Sequence, residues 1–286
     1  MGAQPMDESQ TMIKRRIKDF FLGLVMATSV AIMVIVLMSL SWSLLSRGFP
    51  ALNWDFFTQL PAPPQSGERT GIANGIIGSL LILMGAFVAA APLGLGLGVF
   101  LSEYDDRRLA RWILPMVEAA AAFPSILVGL VFYSWFVKPM GGFSALAGSA
   151  ALAFMMVPLI AKGCFTVFQE FPGTLREAGL ALGASRWRVI TRVLLPESLG
   201  GIATVLLLGL ARVAGETAPL LFTSFGNPFW NFDPTQPTAA MPLQIYNYAL
   251  SPYAEWHTLA WSGALVLIVF VFFINIMVRF LGRRSV

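Results

Sequence analysis

Few residues in this chain have the type and spacing to do chemistry, and they sit in unexpected places. Arg212 lies well inside an apolar run, with Glu216 one helical turn later. A charged side chain near the centre of a membrane helix costs at least about 2.5–3.5 kcal/mol on insertion scales, so it faces a cavity or a partner and marks a pathway. The two residues also have the four-residue spacing of a helical ion pair, in the weaker cation-first order, so a buried structural pair fits as well as a substrate path. Thr217 and Ser224 follow with hydroxyls that serve either a ligand or helix packing. Lys162, near the cytoplasmic end of another run, is either a second positive step or a lysine whose ammonium reaches the interface.

Several other chemistries are excluded. None of the four lysines follows a glycine, and a phosphate-cradling P-loop requires the Gly-Lys pair, so the chain does not hydrolyse ATP by that route. The single histidine, His257, rules out a His-Glu-x-x-His zinc site and reads as an interfacial residue beside Trp256 and Trp261. There is no Gly-x-Ser-x-Gly nucleophile turn. The lone Cys164 has neither a disulfide partner nor company for a thiolate metal site.

The elements that must position these residues follow from composition. The chain is 57% hydrophobic and 12% charged, against about 45–50% and about 25% in an ordinary soluble domain. Six apolar runs can be marked, at about 20–45, 71–101, 112–137, 143–168, 199–225 and 258–281, each near the roughly 20 residues a membrane crossing needs. The first is too long for a signal peptide and reads as an uncleaved anchor. Prolines 50, 61, 63 and 64 make residues 46–70 a loop, with a domain boundary near Gly71. Pro124 marks a kink or a discontinuous segment in the third run. Glycines of the second run, among them Gly94 and Gly98, read as helix-packing positions rather than a nucleotide loop.

Fourteen of the 19 Lys and Arg fall on one side if both termini are cytoplasmic, whereas the loop from Gly226 to Trp256 has neither. The positive-inside rule therefore favours six spans with N- and C-termini cytoplasmic, and the basic clusters need no nucleic acid to explain them. The division is residues 1–70 (cytoplasmic start, first helix, external loop), 71–281 (core) and 282–286 (cytoplasmic tail).

Between the fourth and fifth runs lies the polar stretch Thr174–Arg192, whose Leu175, Ala178 and Leu182, with Phe171, form an apolar stripe. It reads as a short helix outside the bilayer, stopped at Gly183. Periodicity alone is equally satisfied by an ordinary amphipathic connection.

Spacing says more. Arg176 is followed by Glu177-Ala178-Gly179, then by Gly183 after three residues and by Val193-Leu194-Leu195-Pro196 after nine more. This resembles the EAA loop of the permease subunits of ABC importers, with Gly179 at the second Ala and Val193 at the Ile of that pattern. Three further segments resemble the A-type permease subunit of the phosphate-specific importer: Phe123 to Leu130, Ala211 to Ser224 and Met241 to Tyr246.

The resemblance implies an all-α, polytopic type I permease of about six helices in the bacterial inner membrane. Its cytoplasmic coupling helix, carrying Arg176, Glu177, Ala178, Gly179 and Gly183, would enter a cleft on a separate ATPase. The implied partners are a second, related permease chain, two ATP-binding subunits, an external phosphate-binding protein and membrane lipid. No cofactor or metal is expected in this chain; ATP and Mg belong to the ATPase subunits. Arg212, Glu216, Thr217 and Lys162 are the expected substrate pathway. A guanidinium suits any tetrahedral oxyanion, so sulfate and molybdate remain alternatives to phosphate, and a channel or secondary transporter is the rival class.

Overall fold

The computed structural model describes residues 8–104 and 108–282, and all regular structure there is helical apart from one isolated bridge between Phe225 and Thr238. The elements are α1 (Glu8–Gly48), α2 (Trp54–Thr58), α3 (Ala73–Glu103), α4 (Arg108–Ala121), α5 (Ser125–Met140), α6 (Ala145–Gln169), α7 (Gly173–Ala181), α8 (Arg186–Glu197), α9 (Leu199–Val213), α10 (Ala218–Thr223), α11 (Met241–Ala249) and α12 (Ala254–Gly282). Among the described residues, α1, α3, α6 and α12 are long and apolar enough to cross a membrane singly, and the bent pairs α4–α5 and α8–α9 bring the number to six. Of the basic residues that set the sidedness, Arg107, Arg283 and Arg284 lie outside the described residues.

The core is the pairing of α3 with α6, and small residues create it. In lipid, helices associate through close packing rather than through expulsion of water. A Cβ added at Gly94 would meet the Ile160 side chain at 2.6 Å, and one at Gly98 would meet Cys164 at 2.6 Å. Ser149 Oγ donates to the Ile82 carbonyl at 3.0 Å across the same seam. Around this pair are packed α9, α10 and α12, with Met156, Ile160, Phe168 and Leu194 fully buried between them. By contrast α1 is exposed along its apolar length. It meets the bundle only at its outer end, where Ser262 Oγ donates to the Gly48 carbonyl at 2.6 Å and Arg47 lies over the Trp261 ring.

The third span has the discontinuity expected at Pro124, the fifth differs from the run read in the sequence, and segment 226–256 carries more structure than expected. The third is two helices bent by 100° between Ala121 and Ser125. Pro124 opens α5, and its ring disfavours a helical conformation at Phe123, so α4 ends there. The fifth run, 199–225, is not continuous: α9 stops at Val213 and α10 begins at Ala218, because Gly215 weakens the helix and Pro219 lacks the N–H that would continue it. The α8–α9 pair is itself bent by 73°. The segment 226–256 is also more than a loop. It contains α11, whose Met241 N–H donates to Ser79 Oγ at 2.7 Å and whose Gln244 donates to Asn74 Oδ1 at 3.1 Å. Its preceding stretch caps α6, since the carbonyls of Gln236 and Pro234 accept from the otherwise orphaned Ala145 and Leu146 N–H groups.

Two π-turns, Tyr133–Val137 and Ile190–Leu194, each lie immediately before a residue followed by proline, Pro139 and Pro196. Widening the turn relieves the clash between the proline ring and the carbonyl one turn back. The Leu-Leu-Pro end of the cytoplasmic motif thus continues as a helix instead of breaking it.

Candidate transport pathway and cytoplasmic coupling site

Arg212 and Glu216 do come together, but not as an ion pair. Glu216 lies beyond the end of α9, its backbone N–H donating to the Val213 carbonyl at 3.1 Å, so the straight helix that a four-residue pair needs is absent. Neither side chain has an ion-pair or hydrogen-bond partner among the described residues. Instead both border a cavity of about 140 Å³ lined also by Ala120, Phe123, Met155 and Leu159. Met155 and Leu159 flank the middle of the 25-residue α6, which spans about 38 Å at 1.5 Å per residue, so Arg212 is held near mid-depth. The bend at Pro124 and the break at Gly215 put non-helical backbone at this depth, which lipid does not tolerate but a polar cavity does.

Lys162 is neither free nor directed to an interface. Its Nζ donates to Glu118 Oε1 at 3.0 Å, and both side chains are about half exposed in the isolated chain. The pair sits one helical turn from Leu159 and Ala121, on the α7 side of the Arg212 cavity. Glu118 was missed in the sequence, although a lone carboxylate inside the third apolar run carries the same signal as Arg212. Thr217 is half-buried at the start of α10, beside Glu216. Ser224 is committed elsewhere, its hydroxyl donating to the Thr238 carbonyl.

At the coupling motif, no residue of α7 is buried. Leu175 and Leu182 are exposed, Leu182 by 89%, and Glu177 and Ala178 face outward with them, whereas Leu180 borders the inner cavity beside Arg176. Arg176 turns the other way. Its Nη2 and Nε donate to Glu103 Oε1 at 2.7 and 3.0 Å, while Nη1 and Nη2 donate to the Phe171 and Phe168 carbonyls at 2.7 and 2.6 Å. The Glu103 side chain is only 4% exposed. Removing one partner of such a buried pair costs about 3–5 kcal/mol, because the other charge is left without compensation. Arg176, read in the sequence only as part of the coupling motif, is thus an inward-facing anchor. Glu103 is the buried end of α3.

Gly179 allows α7 to approach α8: a Cβ there would meet Val189 Cγ2 at 2.7 Å, which accounts for glycine where the motif has alanine. Gly183 ends the motif helix with φ at +78°, a left-handed conformation that costs glycine little. His257 Nε2 donates to the Ser251 carbonyl at 2.6 Å at the start of α12, an interfacial structural role.

Residues 92–286 match the model of the family described as binding-protein-dependent transport system inner membrane component. The chain belongs to this permease family. The permease is 40% identical over 245 residues to the phosphate transport system permease protein PstA of Xylella fastidiosa (strain Temecula1), covering 85% of each chain. It is 40% identical over 264 residues to PstA of Yersinia pestis, covering 90% of this chain and 88% of the relative. In fold it is similar to a chain of the bacterial alginate ABC transporter solved with an alginate-loaded periplasmic protein. There the TM-score is 0.66 at 17% identity, covering 94% of the permease and 97% of that chain.

Proposed function

We propose that this permease is the A-type membrane subunit of an ATP-driven phosphate importer, and that Arg212 is the residue its central path uses to attract the anion. One observation carries the reading: a guanidinium without a partner among the described residues, at mid-depth, beside a small cavity on a face that this chain leaves open. A guanidinium offers a fork of donors matched to tetrahedral oxyanion geometry. Glu216 tempers that charge and Thr217 supplies a neutral donor beside it. Lys162 is the next positive group towards the α7 side.

The open face that carries Arg212 and the half-exposed Lys162–Glu118 pair supports assembly with a second, related permease chain, since lipid-exposed charges at mid-depth are costly without a facing partner. The outward surface of α7, with Glu177 and the Leu182 that follows it, enters a cleft on one of two ATP-binding subunits, where ATP and Mg are used. An external phosphate-binding protein delivers the ligand. The charge distribution supports cytoplasmic termini, with residues 1–70 an added helix and external loop before the 71–281 core. Transport proceeds by alternating access: ATP-driven closure of the ATPases moves α7, and the path around Arg212 opens outward.

The test is ATP-dependent uptake of radiolabelled phosphate in vesicles holding this chain with its partner permease, ATPase and binding protein, with sulfate as competitor. Uptake that resists sulfate and is lost in Arg212→Ala is the expected result. Competition by sulfate or molybdate points to another oxyanion, and uptake without ATP points to a channel or secondary transporter.

A further inference from the structure

The coupling helix poses a mechanical problem. At nine residues α7 is too short to be stable by itself in water, and none of its residues is buried, so apolar burial does not hold it. On its inner side lies a cavity of about 360 Å³ bordered by Ser102, Glu103, Gln169, Arg176 and Arg186 and by the apolar Leu180 and Val189. Besides the packing of Gly179 on Val189, what joins α7 to the bundle is a small set of directed bonds that meet at Glu103. Arg176 grips its carboxylate with two nitrogens and also takes the Phe168 carbonyl from the last turn of α6. Arg186, at the start of α8, donates from Nη1 to the Glu103 backbone carbonyl at 2.9 Å and lies over the Tyr104 ring. One residue at the end of α3 is therefore bonded to α7 and α8, and Arg176 carries the connection to α6.

We infer that Glu103, clamped by Arg176 and Arg186, is the positioning residue through which movement of α7 reaches the α3–α6 pair. The inference rests on the permease reading, because α7 must first be moved by an ATPase. A bidentate guanidinium–carboxylate pair resists both translation and rotation, unlike a single contact. The pair passes its displacement to helices that are locked along their length: Gly94 sits against Ile160 and Gly98 against Cys164, so α3 and α6 shift together. A force on α7 is thereby delivered to the helix that carries Met155, Leu159 and Lys162 along the path. Glu177, which faces outward, contacts the ATPase and takes no part in the clamp.

The test uses the fully assembled importer in nanodiscs, measuring ATP hydrolysis stimulated by the phosphate-loaded binding protein alongside phosphate moved per ATP in vesicles. Glu103→Gln and Arg176→Met are each expected to leave assembly and the KM for ATP unchanged while phosphate moved per ATP falls at least about tenfold. Because the two residues form one link, the double variant should fall no further than either single. Arg176→Lys, which keeps the charge and loses the fork, should give an intermediate value. Should Arg176→Met fail to assemble, Glu103→Gln, which retains a hydrogen-bond acceptor for Arg176, carries the test alone. Coupling within twofold of wild type in assembled Glu103→Gln, or additive losses in the double variant, would overturn the inference. A wild-type complex that moves no phosphate overturns the permease reading instead.

Discussion

The two charged clusters of this permease have opposite constructions. At the α7 end, a buried Glu103 and a half-buried Arg176 form a bidentate pair joined to backbone carbonyls, so nearly every polar atom is used within the chain. At mid-depth, Arg212 and Glu216 flank a cavity with no ion pair between them, and Lys162 and Glu118 form a half-exposed pair beside them. Charges that a chain satisfies itself fix its shape. Charges it leaves open at membrane depth need a ligand or partner, since neither lipid nor the chain compensates them.

The comparison is broken most severely by disturbing what both clusters stand on. Gly98→Leu should prevent assembly of the bundle, because even a Cβ at that position would lie 2.6 Å from Cys164, and the check is loss of monodisperse complex on size exclusion. Arg212→Ala comes next: phosphate uptake should fall by about two orders of magnitude or more with assembly unchanged, whereas Arg212→Lys should keep a measurable rate, since it retains charge but not the fork. Uptake near wild type in Arg212→Ala would erase the difference between the clusters. Lys162→Gln should have a smaller effect, roughly three- to tenfold on uptake, because its charge is already partly compensated by Glu118. The smallest is Gly183→Ala, which should lower thermal stability by about 1 kcal/mol through strain at a φ of +78°, read as a shift in melting temperature with little change in uptake.

Much of the architecture was legible in the chain's own order of residues. Five of the six apolar runs, the glycine spacing of α3 and the discontinuity at Pro124 reappear, because span length and backbone satisfaction are local demands that lipid enforces strictly, whereas the fifth span runs from Arg186 to Val213. The candidate site was legible only in part. Arg212 stood out because one charge in an apolar run is conspicuous, yet its pairing with Glu216 was a projection of straight-helix geometry onto a segment that breaks at Gly215. Glu118 met the same criterion but lay next to a kink that drew attention elsewhere. Glu103 could not be read at all, since the residue that makes it important is Arg176, 73 positions away.

The sequence by itself determined that this is a helical membrane protein, roughly where all its spans but the fifth lie, and that a short polar motif interrupts them. Those features depend on hydropathy and on backbone hydrogen bonding within a segment, which neighbouring residues settle between themselves. Only the tertiary structure decided which charges are anchors and which are open, because that depends on what distant helices bring to each side chain. Arg176 and Arg212 are indistinguishable as arginines. Glu103 closes off the first, and nothing in the described chain closes off the second.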